Sequence, residues 1–247
     1  MIDEINLKPY YDLTGGNIVG KSANNEKAAN AACGFMLNSF LSNICDVVHI
    51  LLVNNISADF LREIIKEVIL ALQEIGYQVI CVTSDNNSLN GKAMSLFSSP
   101  NKLRILYPHP AHPKRPLFFI FDPVHIFKCI RNNWINKKNV GQNMYFHDFD
   151  DHSVTRTACF KTIKSIRSLE EGQLLKYAYG ISVKAVCSIS IERQNVMFVI
   201  QIFNDHVFEG LRKAGEQTNE MHCSETADFI EIVMKWWKAM NVKIYSK

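Results

Sequence analysis

Tyr77-Gln-Val-Ile-Cys-Val-Thr-Ser-Asp85 is the stretch of sequence that decides the predicted fold. Its middle, residues 79–83, is an unbroken run of apolar and β-branched side chains. Such a run lacks the alternation of a strand with one wet face, so it predicts a buried strand whose two faces are both covered by helices. Asp85 stands at the carboxyl end, where ligands and catalytic groups collect in open α/β sheets. Asp85 and the residues after it are also typical of a turn and helix cap.

The segment before this strand predicts the helix that packs on it. Ser57 is a suitable N-cap, Gly76 ends the pattern, and apolar residues recur between them at helical spacing. Residues 47–53 form an apolar run just ahead of this helix. Strand, helix and strand make a crossover unit, which predicts parallel pairing of residues 47–53 with residues 77–83. Residues 31–41 fit either a strand or a helix.

A second buried strand is predicted at residues 117–121 and again ends in an aspartate, Asp122. Pro123 then suits the first turn of a helix that Asp122 would cap. Residues 135–152 are polar, and we place a domain boundary there. Residues 153–179, 192–213 and 224–240 are predicted to be helical. The expected organisation is therefore an α/β domain over residues 1–134 and a mostly helical domain over residues 135–247.

The composition bounds the class of protein. A chain of 247 residues is long enough for two modest cores. Its net charge of +3 does not by itself indicate nucleic-acid binding. The seven cysteines are scattered and contain no C-x-x-C pair, which favours a reducing compartment without disulfides or structural zinc. With no apolar run of membrane-spanning length, we expect a soluble intracellular protein. The opening Met-Ile-Asp-Glu-Ile resembles the end of a strand, so we expect a fragment.

Two carboxylates are the first candidates for chemistry. Asp3 lies near the end of the first predicted strand, and parallel pairing would bring it beside Asp85. Two neighbouring carboxylates repel each other, and a hard divalent cation relieves the repulsion by taking both as oxygen ligands. That arrangement suits metal-assisted phosphoryl transfer. Because surface aspartates are common and fold does not specify function, a purely structural role is the alternative that spacing alone favours.

Other polar groups each have a functional and a structural interpretation. Asp122 and His125 would extend a metal site, although helix capping explains Asp122. His109 and His112 have a spacing that a metal accepts, but the prolines around them favour an ordered loop. The acidic cluster at residues 147–152 would hold a cation or serve as a solvated linker. Basic residues beside Trp134 would contact phosphate or line a solvated helix face, namely Lys128, Arg131, Lys137 and Lys138.

Several motifs together resemble the P-element transposase family, which includes the THAP-domain transposases. They run collinearly through nearly the whole chain, as Asp3-Glu-Ile, Val82-Thr-Ser-Asp85 with Asn90, Pro108-His-Pro, Phe121-Asp-Pro-Val-His125, Glu192-Arg-Gln-Asn-Val196 and Glu225-Thr-Ala-Asp-Phe-Ile230. The resemblance implies an RNase H-like catalytic domain interrupted by a helical insertion domain that binds GTP. It implies DNA cleavage and strand transfer that depend on Mg²⁺ or Mn²⁺ held by three carboxylates.

By this resemblance Asp3 is the first catalytic and metal-binding carboxylate and Asp85 the second. The third is a glutamate beyond the insertion domain, which we expect past Lys247, so the active site would be incomplete and the chain inactive alone. The resemblance also assigns Lys176, Val196 and Asn241 to nucleotide binding. Lys238 stands where the family tends to carry an aspartate that is a candidate for recognising guanine, and an ammonium cannot accept the hydrogen bonds of that base.

The resemblance also sets expectations about partners and location. It implies DNA, at transposon ends, as the partner of a full-length parent, together with self-association and a nuclear or cytoplasmic location. We find no zinc-coordinating THAP module in this sequence. An alternative function is a non-catalytic domesticated remnant that binds nucleotide, DNA or a related transposase.

Overall fold

A computed structural model of the chain describes residues 1–136, 138–169, 179–186, 189–218 and 222–241. The chain divides into two compact units, Met1–Asp122 and Pro123–Lys247. The first is α/β and the second is mostly helical, which confirms the predicted fold class. No helix within the described ranges has the length and apolarity that a membrane crossing requires.

The first unit contains eight strands and two helices in its described residues. The strands are β1 (Ile2–Asn6), β2 (Asp12–Thr14), β3 (Asn17–Val19), β4 (Ala31–Asn38), β5 (Cys45–Val53), β6 (Cys81–Ser84), β7 (Leu106–Pro108) and β8 (Pro116–Phe121). The helices are α1 (Ala58–Glu74) and α2 (Ser88–Ser95). Six strands form one mixed sheet in the order β5-β4-β1-β6-β8-β7, and β2 and β3 form a separate hairpin.

The strand order corrects one expectation. β6 pairs in parallel with β1 on one side and with β8 on the other, while β5 pairs only with β4, in antiparallel fashion. The predicted pairing of residues 47–53 with residues 77–83 is therefore wrong, because β4 and β1 lie between these two segments. The connection through α1 passes over two intervening strands. The local sequence pattern does not indicate how many strands such a connection passes over.

Helix α1 forms as its sequence predicts. The Ser57 hydroxyl accepts the backbone N–H of Phe60 at 3.2 Å and so caps the first turn. Leu61, Ile65 and Ile69 lie on the buried stripe that packs on the sheet. Gly76 follows the helix with φ of +95°, a conformation that favours glycine.

The two faces of the sheet differ, which corrects the expectation of a sheet covered on both sides. Val82 and Phe119 point to the helices and are buried. On the other face Ile5, Ile50 and Phe118 are exposed over 65%, 62% and 40% of their surface. The strand at residues 77–83 is also shorter than predicted, since β6 begins at Cys81. A strand that is apolar on both faces was predicted to be covered by helices on both faces. The exposed side chains show that an apolar run does not by itself predict a second covering layer.

The second unit contains a hairpin and six α-helices in its described residues. The hairpin strands are β9 (Asn143–His147) and β10 (Thr155–Cys159), and the helices are α3 (Pro123–Trp134), α4 (Phe160–Leu169), α5 (Val183–Val186), α6 (Val196–Ile200), α7 (Asp205–Thr218) and α8 (Cys223–Met240). A 3₁₀ helix covers Ser190–Gln194. The helical prediction for residues 153–179 is wrong at its start, because residues 155–159 pair with β9.

Aromatic packing joins α3 to the second unit. Trp134 is fully buried and meets the rings of Phe160 and Phe229 edge to face, with centroids 5.2 and 4.9 Å apart. Phe127 stacks on Trp237 at 4.4 Å. The division between the units thus falls at Asp122 and Pro123, ahead of α3, whereas the predicted boundary at residue 134 falls after this helix.

Candidate active site

The register of two parallel strands brings the predicted catalytic carboxylates together. Ile2 of β1 is the partner of Ser84 of β6. Asp3 and Asp85 each follow one residue later, so the second residue of β1 stands beside the residue that directly follows the carboxyl end of β6. Side chains alternate between the faces of a sheet, and both Ile2 and Ser84 are buried toward the helices. The alternation therefore places the Asp3 carboxylate on the open face, whereas Asp85 lies just beyond β6 and its carboxylate contacts Asn90, a buried residue of α2.

The two aspartates differ in their surroundings. Asp3 is exposed, and its Oδ1 accepts the backbone N–H of Glu4 at 2.9 Å. Asp85 is half-buried, and its Oδ1 accepts a hydrogen bond from the side-chain amide of Asn90. The neighbouring Ser84 is almost completely buried and donates from its hydroxyl to the carbonyl of Asp85 at 3.2 Å. Asp85 is therefore the more firmly positioned carboxylate.

A third aspartate continues the row. Phe121 of β8 is the partner of Ser84, and the N–H of Asp122 donates to the Ser84 carbonyl at 2.7 Å. The backbone of Asp122 thus lies beside that of Asp85 at the carboxyl end of the parallel strands. Within the part of the chain that the structure describes, however, no group of three acidic, histidine or cysteine side chains is arranged to hold a metal ion. The pair Asp3 and Asp85 is the candidate site.

The donor set of this pair suits a hard cation. Mg²⁺ and Mn²⁺ prefer oxygen ligands, and two carboxylates on adjacent strands supply them at the spacing of one strand pair. One flank of the site is open, because the face on which Asp3 lies carries the exposed side chains of Ile5 and Ile50. The arrangement can therefore hold a cation where a second molecule has access to it.

His109 has a structural environment instead of a metal-binding one. Its ring is buried, its Nδ1 accepts the N–H of Ala111 at 3.1 Å, and it stacks on His112 with centroids 5.9 Å apart. Burial, and then the charge of His112, lower the pKa of His109 below its ordinary value. The ring is thus kept neutral within an ordered loop, as the surrounding prolines indicate.

Arg131 corrects the expectation of a basic patch or solvated helix face beside Trp134. Its side chain is fully buried, and its guanidinium donates to the carbonyl of Ala185 from Nε at 3.1 Å and from Nη2 at 2.7 Å. It also donates to the carbonyl of Lys184 at 3.2 Å. Arg131 therefore satisfies carbonyls at the end of α5 and is not presented to a phosphate. Lys137 lies outside the described residues.

The acidic cluster at residues 147–152 is organised by Asp148. Its carboxylate accepts the N–H groups of Asp150 and Asp151 and pairs with Arg156. The two backbone N–H groups are the main reason that the pKa of Asp148 is lowered. Arg156 also pairs with Asp228 of α8, at 2.8 Å. The cluster is a structural tie between the hairpin and α8, which overturns the interpretation as a solvated linker.

The predicted nucleotide-binding residues are only partly placed by the structure. Val196 begins α6 and packs against the core of the second unit. Asn241 is exposed, and its N–H donates to the Trp237 carbonyl at 2.9 Å to end α8. Lys176 lies outside the described residues. Lys238, at the position in doubt, has its ammonium 3.7 Å from the carboxylate of Asp205.

The comparisons with known proteins agree with this fold. Residues 1–98 match the family model described as TNP-like, RNase H N-terminal domain. The chain also matches a solved structure of the Drosophila P element transposase strand transfer complex, with a TM-score of 0.77 and 18% sequence identity over 99% of this chain. It spans about half of that transposase chain, 51%. Comparison with curated proteins finds no match.

These findings confirm the recognition made from sequence. The first part of the chain is similar to the RNase H N-terminal domain of the transposase-like type. The described structure has the fold of a P element transposase across both units. The role of Asp3 and Asp85 in catalysis and metal binding stays a prediction. The contact between Asp85 and Asn90 was not anticipated, and its one signal was an asparagine five residues after the aspartate.

Proposed function

We propose that the first unit is part of the catalytic core of a P-element-like DNA transposase. The observation that carries the proposal is the pairing of Ile2 with Ser84, which sets Asp3 beside Asp85 in a segment that matches the transposase-like RNase H family model. In this proposal the two aspartates hold Mg²⁺ or Mn²⁺. When bound, such ions activate the attacking oxygen and stabilise the leaving oxygen of a phosphoryl transfer.

The residues of this chain supply binding and orientation in that reaction. Asp3 and Asp85 contribute carboxylate oxygens, and the hydrogen bonds from Glu4 and Asn90 hold one oxygen of each. The open face on which Asp3 lies would give DNA access to the ions. We propose DNA cleavage and strand transfer as the activity of a longer parent protein, with transposon ends as its DNA. Self-association stays a prediction.

We propose further that this chain does not cleave DNA on its own. The resemblance requires a third carboxylate, and no residue of the sequence was matched to it. In the described residues no third metal-ligating side chain joins Asp3 and Asp85. Because three carboxylates hold the ions in the implied mechanism, two of them leave cleavage geometry incomplete.

Metal binding tests the proposed site directly. We expect the purified chain to bind Mn²⁺, followed by electron paramagnetic resonance, and we expect both Asp3→Asn and Asp85→Asn to weaken the binding strongly. Asp12→Asn is the matched control, because Asp12 is also exposed on a strand and its Oδ1 also accepts the next backbone N–H, at 2.8 Å. Binding that is unchanged in both site variants, or equally reduced in the control, would refute the proposal.

For the second unit we propose that a preference for GTP is lost. Lys238 cannot accept the donors of guanine, and its ammonium lies near Asp205. We expect fluorescent GTP and ATP analogues to bind equally weakly, and Lys238→Asp to favour the GTP analogue. Tight GTP binding by the unaltered chain would contradict this. If such binding also survived replacement of Asp3 and Asp85, it would favour the non-catalytic alternative.

A further inference from the structure

Asn90 is a buried amide at a position of α2 that otherwise serves packing. It is 7% exposed, and the other buried residues of α2 are the apolar Ala93 and Met94. An amide in such a place is costly unless its hydrogen-bonding groups are satisfied. The structure shows two hydrogen bonds from the side-chain nitrogen of Asn90, and both go to Asp85.

The side-chain nitrogen of Asn90 donates to two oxygens of Asp85. It contacts the carboxylate Oδ1, and it lies 3.4 Å from the backbone carbonyl. Both neighbours are acceptors, so the amide must present its NH₂ group to them and cannot be turned around. The two hydrogens of one amide therefore fix the carboxylate of Asp85 relative to its own backbone.

The amide is itself held in place by the start of the helix. Asn87 is the N-cap of α2, and its side chain accepts the backbone N–H of Asn90 at 2.7 Å. The Asn87 carbonyl accepts the N–H of Gly91 at 3.1 Å. The capped turn thus connects the rigid first turn of α2 to the carboxylate at the end of β6.

We infer that Asn90 is a positioning residue for the metal site, and this inference rests on the proposed function. The amide engages Oδ1 of Asp85, so Oδ2 is the oxygen with which Asp85 would bind a cation together with Asp3. Partners that orient a ligating side chain preserve metal affinity although they do not touch the metal. The Asp3 carboxylate is oriented by the backbone N–H of Glu4, whereas the Asp85 carboxylate is oriented by a side chain. A substitution of Asn90 therefore removes the side chain that orients the metal site.

The test compares Mn²⁺ affinity in matched variants of the whole chain. Asn90→Leu keeps a similar volume and removes the donor, and we expect affinity to fall about 10-fold, the lower end of the range for lost orienting partners. Met94→Ala is the control, because it removes buried apolar packing from the same helix and leaves both the Asn87 cap and the Asn90 amide intact. We expect it to lower the thermal unfolding temperature and to leave Mn²⁺ affinity within about 2-fold. Asn90→Ala serves as a second variant if the leucine prevents folding.

Each outcome of these measurements supports or refutes either the positioning role of Asn90 or the proposed metal site. If Asn90→Leu and Asn90→Ala bind Mn²⁺ as tightly as the unaltered chain, while Asp85→Asn does not, Asn90 has no positioning role and the proposed site stands. If Met94→Ala loses as much affinity as the Asn90 variants, the effect is general loosening of α2 and the inference is overturned. If the unaltered chain binds no Mn²⁺ that the aspartate variants abolish, the proposed function fails and the inference fails with it.

Discussion

Truncation of Trp134 tests how the chain divides into folding units. Its ring is fully buried, lies edge to face with Phe160 and Phe229, and donates from Nε1 to the Ala158 carbonyl at 3.2 Å. Large-to-small changes of such a residue cost about 3–5 kcal/mol. Because two aromatic pairs and a buried hydrogen bond are lost together, we expect Trp134→Ala to fall at the upper end of that range.

A milder variant separates the two contributions. Trp134→Phe keeps an aromatic ring and removes the donor, which leaves the Ala158 carbonyl without that partner. We expect a cost of about 1–3 kcal/mol, the usual penalty for a buried acceptor that loses its donor. Trp236 is only partly buried, so Trp236→Phe is the control and should cost less.

The chain provides a selective probe for the measurement. All three tryptophans, at positions 134, 236 and 237, lie in the second unit. Urea unfolding followed by tryptophan fluorescence therefore reports that unit, and the probe survives in each variant. Hydrogen exchange of α1 reports the first unit, where we expect no change. Equal loss of protection in α1, or a cost of Trp134→Ala below about 1 kcal/mol, would refute the assignment of α3 to the second core.

Three further predictions concern His109, Arg131 and the two faces of the sheet. Because the pKa of His109 is lowered in the folded state, protonation of His109 favours unfolding. Hydrogen exchange of α1 should therefore show full stability of the first unit above about pH 6.5 and a loss of stability as the pH falls below that value. His109→Gln should make the stability less dependent on pH. Arg131→Met leaves the carbonyls at the end of α5 unpaired and should cost about 1–3 kcal/mol by tryptophan fluorescence, and an unchanged midpoint would contradict the role of the guanidinium. Ile65→Ala should cost the first unit about 2–5 kcal/mol and Ile50→Ala less than about 0.5, as measured by exchange, and equal costs would mean that the face bearing Ile50 is covered.

Local signals predicted α1 and α8 well, because the signals are carried by a few residues in each helix. For α1, Ser57 as the cap, the stripe containing Ile65, and Gly76 at the end all agree, and the structure places each in that role. The last helix, α8, likewise spans the predicted residues. By contrast β4 could not be distinguished from a helix, since Gly34 and its alanines weaken the alternation on which strand prediction relies.

Features that depend on contacts between distant parts of the chain were harder to predict from the sequence. The order of strands depends on which neighbours a crossover skips, and the apolar run ending at Val53 gave no indication that β4 would separate it from β1. The burial of Arg131 was missed for a related reason. Its position on α3 is typical of a solvated face, and only the approach of α5 from more than fifty residues along the chain gives its guanidinium carbonyl partners.

The candidate site combines both kinds of information. Spacing alone could not associate Asp3 with Asp85, because their proximity depends on a parallel pairing in which Ile2 and Ser84 are the only register partners. The resemblance named both residues but gave no reason for a difference between them. The structure supplies one, since Asp85 is fixed by a buried amide on a capped helix, while Asp3 is exposed and accepts the N–H of its neighbour Glu4. The two carboxylates have equal roles in the proposed chemistry, but they are not held in place equally firmly. The geometry of the pair is therefore fixed mainly by Asp85, through its contacts at the end of β6 and the start of α2.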